Sequence, residues 1–162
     1  MAEHLIPIRS TLELDIADKI CAEVLRLRRA HGLLPLTIAV LDAGGHLVSF
    51  RREDGCGVLR ADIAIGKAWG ALGMGMSTRQ IRDRLSNRPT FQSALAAASD
   101  GRFIPTPGGV LIVDSSDQAI GAVGISGDAS DKDEFCAISA VNAAGLRAEP
   151  AAPQSDWNDA KL

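Results

Sequence analysis

The 162-residue chain has no tyrosine, only two tryptophans and four phenylalanines, so aromatic packing cannot dominate its interior. A core must come instead from Ala, Val, Ile and Leu, and sixteen glycines allow backbones to approach closely. The three cysteines, Cys21, Cys56 and Cys136, form no CxxC pair, which excludes a paired-cysteine metal or redox motif and reads as reduced thiols. No apolar run approaches the roughly 18 residues that span a membrane, and Met1-Ala2-Glu3-His4 does not begin a secretory signal. The cytoplasm is the expected compartment. The net charge of −3 and the lack of a basic run argue against nucleic acid. The local cluster Arg26, Arg28 and Arg29 reads as a solvated helix face. The nucleophile elbow GxSxG, the phosphate loop GxxxxGK[ST] and the zinc motif HExxH are all missing.

What is present is ordered along the chain. Ser10-Thr11-Leu12-Glu13 has the form of a capping box. Leu12, Ile16, Ile20, Val24 and Leu27 follow at helical spacing, and Gly32 suits a left-handed helix end, giving a helix over about 11–31. Residues 36–41 and 46–51 are apolar, branched segments joined by Asp42-Ala43-Gly44-Gly45, the pattern of a β-hairpin. Residues 58–73, 77–85 and 90–98 read as helices. Pro107-Gly108-Gly109 leads into a strand, 110–113, whose hairpin partner is 119–125. Ser130 can cap a final helix through Leu146, and from Ala148 the composition turns to Ala, Pro and polar residues. The expectation is one domain over 1–148 with a tail at 149–162. Two hairpins separated by helices make an α+β layered domain rather than the β–α alternation of a nucleotide fold.

Four segments can carry chemistry. Asp42 reads as a turn residue and His46 as the start of a strand or a metal ligand. Arg52, Glu53 and Asp54 precede the helix that holds Asp62 and Lys67; Lys67 either snorkels to solvent or meets an anion in a cleft. Pro107-Gly108-Gly109 offers unshielded backbone N–H groups to a flat or anionic ligand. Ser126-Gly127 leads into a helix N-terminus suited to a carboxylate, opposed by Asp131, Asp133 and Glu134 in the first turn.

VLDAGGHLVSFRREDG, ADIAIGKAWGA, PTPGGVLIV and AIGAVGISGDASDKDE, in that order, resemble the GlcG/HbpS-type family, which includes the C-terminal domain of PduO-type proteins. The resemblance covers about residues 10–147. It implies a profilin-like three-layer α/β/α sandwich around a five-stranded antiparallel sheet, of which the residues themselves reveal four strands. It also implies haem binding in some members and assembly into homo-oligomers. The matching positions here are Asp42, Gly44, Gly45, Arg52, Asp54, Gly55, Asp62, Lys67, Pro107, Gly108, Gly109, Ser126, Gly127 and Asp133.

Two functional expectations result beside that of a purely structural or partner-docking subunit. One is a small-ligand-binding protein, haem being the candidate, with Arg52, Lys67, Pro107, Gly108, Gly109, Ser126 and Gly127 around the ligand. His46 is then the first choice of iron ligand and His31 the second. The alternative is a cofactor-free lyase, hydratase or isomerase acting on a small organic acid. There Lys67 and Arg52 hold the carboxylate, and Asp54, Asp62 or Asp133 acts as acid or base.

Overall fold

The computed structural model describes residues 5–162. The chain runs α1 (Leu14–His31), β1 (Thr37–Asp42), β2 (Leu47–Arg52), α2 (Leu59–Met74), α3 (Thr78–Leu85), α4 (Pro89–Ala98), β3 (Gly109–Val113), β4 (Ala119–Ser126), α5 (Ser130–Ala143) and β5 (Arg147–Glu149), then a short 3₁₀ turn at Trp157–Asp159. The five strands form one antiparallel sheet in the order β2-β1-β4-β3-β5. Helices α1 and α5 pack on one face over Ile38, Val40, Val110, Ile112, Val123 and Ile125. Helix α2 covers the opposite face over Leu41, Leu111, Val113 and Ala122. The result is the three-layer α/β/α sandwich of a mixed α+β fold, as the resemblance implies.

The small residues determine how closely α2 can lie. A Cβ placed at Gly124 of β4 would overlap the Ala64 carbonyl, and one at Gly109 of β3 would overlap that of Lys67. Helix and sheet therefore meet at backbone contact, and the seam is filled by Ala68 and Ala71 rather than by long side chains.

Local details depart from the sequence reading at three points. Helix α1 starts at Leu14 with Glu13 as its N-cap and no side-chain cap, so the expected capping box does not form. Thr11 instead accepts a hydrogen bond from Ala43 N–H at 3.0 Å, tying the N-terminal segment to the first hairpin turn. Ser130 does not cap α5 either. The residue before the helix is Ala129, and Asp133 accepts the Asp128 N–H at 3.1 Å. Finally, α5 ends at Ala143, and Gly145 (φ +81°) reverses the chain into β5, whose Ala148 N–H is also held by Asn142 Oδ1 at 3.2 Å. Three residues carry too little periodicity to betray a strand; pairing of Arg147–Glu149 with Leu111–Val113 decides it. Residues 149–162, tail-like in composition, return to the domain, where the Trp157 ring stacks on Phe135 at 3.6 Å.

Candidate functional site

Lys67 points inward from α2 towards the β3 and β4 ends and is 1% exposed. Its ammonium donates to the Ile125 carbonyl at 2.9 Å and to Asp133 Oδ2 at 3.0 Å. The other oxygen of Asp133 takes the Asp128 N–H, so one carboxylate links α2, the end of β4 and the start of α5. Gly108 makes this possible. Its φ is +116°, and a Cβ there would lie 2.9 Å from both Lys67 Nζ and the Ile125 carbonyl and 3.2 Å from Asp133 Cβ. Burial raises the Asp133 pKa to about 6, against the lowering effect of Lys67 and the Asp128 N–H.

The structure therefore joins Lys67, Asp133 and Gly108, with Gly109 on the next step of β3 bonded through its N–H and carbonyl to Thr78 Oγ1 at 2.8 and 3.3 Å. This junction is packed rather than hollow. Five surface cavities of about 140 to 550 Å³ lie elsewhere, and none is lined by Lys67, Asp133, Pro107, Gly108 or Gly109. Ser126, also buried, accepts from Arg60 Nη1 at 3.2 Å beside the half-buried Cys56. A Cβ at Gly127 would overlap the Pro35 carbonyl, so close backbone packing is reason enough for glycine there.

The remaining sequence candidates are at the surface. Arg52 and Asp54 share an open depression of about 360 Å³ with Leu25, Arg51 and Glu53. Asp62 is exposed in the first turn of α2. Asp42 performs the turn role: its Oδ1 accepts from Gly44 N–H at 2.9 Å and His46 N–H at 3.0 Å. His46 is an exposed residue at the tip of the first hairpin, with Nδ1 3.4 Å from the same Asp42 oxygen. His31 ends α1 in a separate aromatic cluster, edge-on to Phe135 and Trp157 at 5.0 and 5.3 Å. Burial raises the thiol pKa of Cys21 and lifts that of Cys136 to about 12, which leaves both inert as nucleophiles.

Two features escaped the sequence reading. Glu134, next to Asp133, is 0% exposed, and neither of its oxygens has a hydrogen-bond partner among the described residues. Arg79 Nη1 lies 3.3 Å away, and burial lifts the glutamate pKa to about 7. The alternation of acids and cations at the start of α5 gives no hint of such burial. The second feature is Trp69, half-buried on α2 between two cavities. One of them, about 150 Å³, is lined by Ala43, Gly44, Gly45, Trp69, Leu72 and Gly73, which brings the His46 hairpin against the indole. A Cβ at Gly45 would sit 3.1 Å from that ring and one at Gly44 2.9 Å from His46 Nδ1. The ADIAIGKAWGA motif contained this tryptophan, but nothing in the sequence pattern singled it out.

The family model for haem degrading protein HbpS-like matches residues 12–142. An uncharacterised 15.0 kDa Citrobacter freundii protein, from the dhaT-dhaS intergenic region, is 26% identical over 133 residues, which is 82% of this chain and 92% of the relative. Among solved structures, the Klebsiella pneumoniae protein ORFY superposes with a TM-score of 0.73 at 26% identity, over 87% of this chain and 97% of that one. The PduOC:haem complex gives a TM-score of 0.76 at 21% identity, covering 85% and 98%. A double mutant of Streptomyces reticuli HbpS gives 0.71 at 23%, covering 88% and 92%. At the identities of the last two, the likeness concerns the fold.

Proposed function

Because the chain belongs to the HbpS-like family, we propose that it is a small-ligand-binding protein with haem as its candidate ligand and His46 as the residue that meets the iron. The observation that carries this reading is the lip at the first hairpin. There an exposed imidazole lies with Nδ1 3.4 Å from Asp42 Oδ1, on the hairpin whose Gly44–Gly45 step meets the Trp69–Leu72 wall. A carboxylate behind the imidazole is the usual support for a metal-ligating histidine. The residues fit the group in kind: a nitrogen donor, an aromatic and aliphatic wall, and glycines that leave space between imidazole and indole. Bound there, haem would supply iron-centred redox chemistry, and the chain's own part is to hold it. That one solved relative by fold is a haem complex supports the same reading.

The cavity at the lip, about 150 Å³, is smaller than the roughly 300–1,000 Å³ of an enclosing ligand pocket. A porphyrin would therefore rest with one face uncovered. A second copy of the chain provides the cover, in keeping with the homo-oligomer that the family resemblance implies. Leu47, Val58 and Leu59, at 53, 79 and 64% exposure, are apolar surface for such an assembly to bury. In this scheme Lys67, Asp133, Pro107, Gly108, Gly109, Ser126 and Gly127 hold the frame at the other end of the sheet, where Thr37 pairs with Ser126, while the hairpin lies at the Asp42–Gly121 end. Among the described residues no helix is long and apolar enough to cross a membrane, and the cytoplasm is part of the proposal.

Haemin titration tests it. The expected result is a shifted Soret band that His46→Ala removes while His31→Ala leaves it in place. An unshifted band in the wild-type protein sinks the haem reading.

One observation favours the enzyme alternative: Asp133, lifted to about 6, lies where an acid–base group operates near neutrality. Substrate would have to displace an ammonium already bound to two oxygens. Turnover of a small organic acid that Lys67→Ala abolishes in a folded protein would support it; unchanged turnover removes Lys67 from the role.

A further inference from the structure

Beyond Gly73, which lines both cavities at Trp69, the second one runs away from the hairpin towards α4. Its volume is about 140 Å³, and Trp69, Met74, Leu95, Ala98 and Phe103 give it an apolar lining. Ser99 also contributes, but its hydroxyl is occupied with the Ala96 carbonyl at 3.0 Å. The rim is different in character. Arg102 stacks on the indole with Cζ 4.2 Å from the ring centroid, and its Nε donates to the Ser99 carbonyl at 2.9 Å. These two contacts fix the guanidinium over two of the lining residues. None of the ion pairs among the described residues includes Arg102. Its terminal nitrogens keep the planar fork that recognises a carboxylate.

Size and charge together define the ligand. An apolar cavity of about 150 Å³ accommodates benzene, so about 140 Å³ suits a single six-membered ring and not a fused pair. We infer that this cavity is a binding site for a small carboxylate bearing one aromatic ring, the ring against Trp69 and Phe103 and the carboxylate on Arg102. With no acid or base among these lining groups and the Ser99 hydroxyl engaged by the Ala96 carbonyl, the site holds its ligand without transforming it. The inference stands apart from the haem reading, which turns on His46 and the Soret band.

The test is calorimetric titration with benzoate, benzyl alcohol and 2-naphthoate, supported by indole fluorescence in a Trp157→Phe background so that Trp69 alone reports. Benzoate is expected to bind saturably and 2-naphthoate not to bind. Arg102→Gln should weaken benzoate about tenfold, the loss of one charge-assisted contact, while affecting benzyl alcohol little. Ala98→Leu, at an exposed position near the end of α4, should weaken both single-ring ligands by filling the space. Circular dichroism confirms that each variant is folded. No saturable benzoate binding by the wild-type protein overturns the inference, as does benzoate affinity that neither substitution changes.

Discussion

Asp133 and Glu134 are consecutive, both 0% exposed, and both in the early turns of α5, yet they occupy opposite situations. Asp133 faces α2 and the end of β4, where an ammonium and a backbone N–H each donate to one of its oxygens. Glu134 faces α3, where Arg79 lies within ion-pair range but completes no hydrogen bond, its Nη2 donating instead to the Ala152 carbonyl at 3.0 Å. Both carboxyl groups are nevertheless raised, to about 6 and about 7. The pair teaches that desolvation fixes the direction of the shift even for a well-bonded carboxylate. Donors change what happens when a partner is removed.

The largest effect should come from breaking the bonded side. Asp133→Asn leaves the Lys67 ammonium buried without its counter-charge and is expected to destabilise the fold by about 3–5 kcal/mol. Combining Lys67→Met with Asp133→Leu should cost far less than the sum of the single changes, because the buried charges leave together. Urea midpoints measured over that double-mutant cycle check it, and additive effects would contradict a coupled pair.

Next in size is Gly108→Ala, which puts a side chain at φ +116° and against Lys67 Nζ. A loss of about 1–3 kcal/mol is expected from backbone strain of this kind, read as a lowered thermal midpoint. A variant as stable as the parent would show that the junction can open.

The unbonded side predicts a gain. Glu134 has a folded-state pKa above its ordinary 4.5, so between about 4.5 and 7 the folded chain holds more protons than the unfolded one. Stability from this group is fully present below pH 4.5 and is lost as the pH rises to about 7. Glu134→Gln should remove the slope between pH 6 and 7, above the range to which Asp133 contributes, and leave the variant more stable than the parent at pH 8, on the order of 1–2 kcal/mol. Denaturation at a series of pH values decides this; a variant that keeps the slope refutes it.

The smallest change concerns the glutamate's cation. Arg79→Gln removes the stronger of the two cations, Arg79 and Arg82, that oppose the raised pKa, so the slope should extend to higher pH. At pH 5 the loss should be about 1 kcal/mol, that of the Arg79 hydrogen bond to the Ala152 carbonyl. The upper limit of the pH slope, compared with that of the parent, is the readout.

Much of the fold was legible because it repeats local rules. The Ile16-Ile20-Val24-Leu27 spacing, Gly32 at a helix end and two apolar hairpins fix α1, β1–β2 and β3–β4 with few long-range assumptions. Asp42 was correctly read as a turn residue. β5 was not legible, because three residues paired to a sheet edge contain no period. Lys67 was legible as an ambiguity only. Its sequence neighbours are Ala and Gly either way, and whether it snorkels or turns inward depends on a carboxylate 66 positions later. Arg52 and Asp54 share a motif with the first hairpin but belong to their own surface depression. Trp69 hid within a helical pattern because a buried ring and a cavity wall have the same spacing.

The sequence by itself determined the single α+β layered plan, the absence of paired cysteines, and the small-residue seam along α2, since these follow from composition and periodicity within each segment. Tertiary structure alone decided that Lys67 is bonded beneath Gly108, that Glu134 is buried without a hydrogen-bond donor among the described residues, and that the Gly44–Gly45 step meets Trp69. Hydration, pairing and cavity space belong to residues brought together from distant parts of the chain, and no local pattern encodes them.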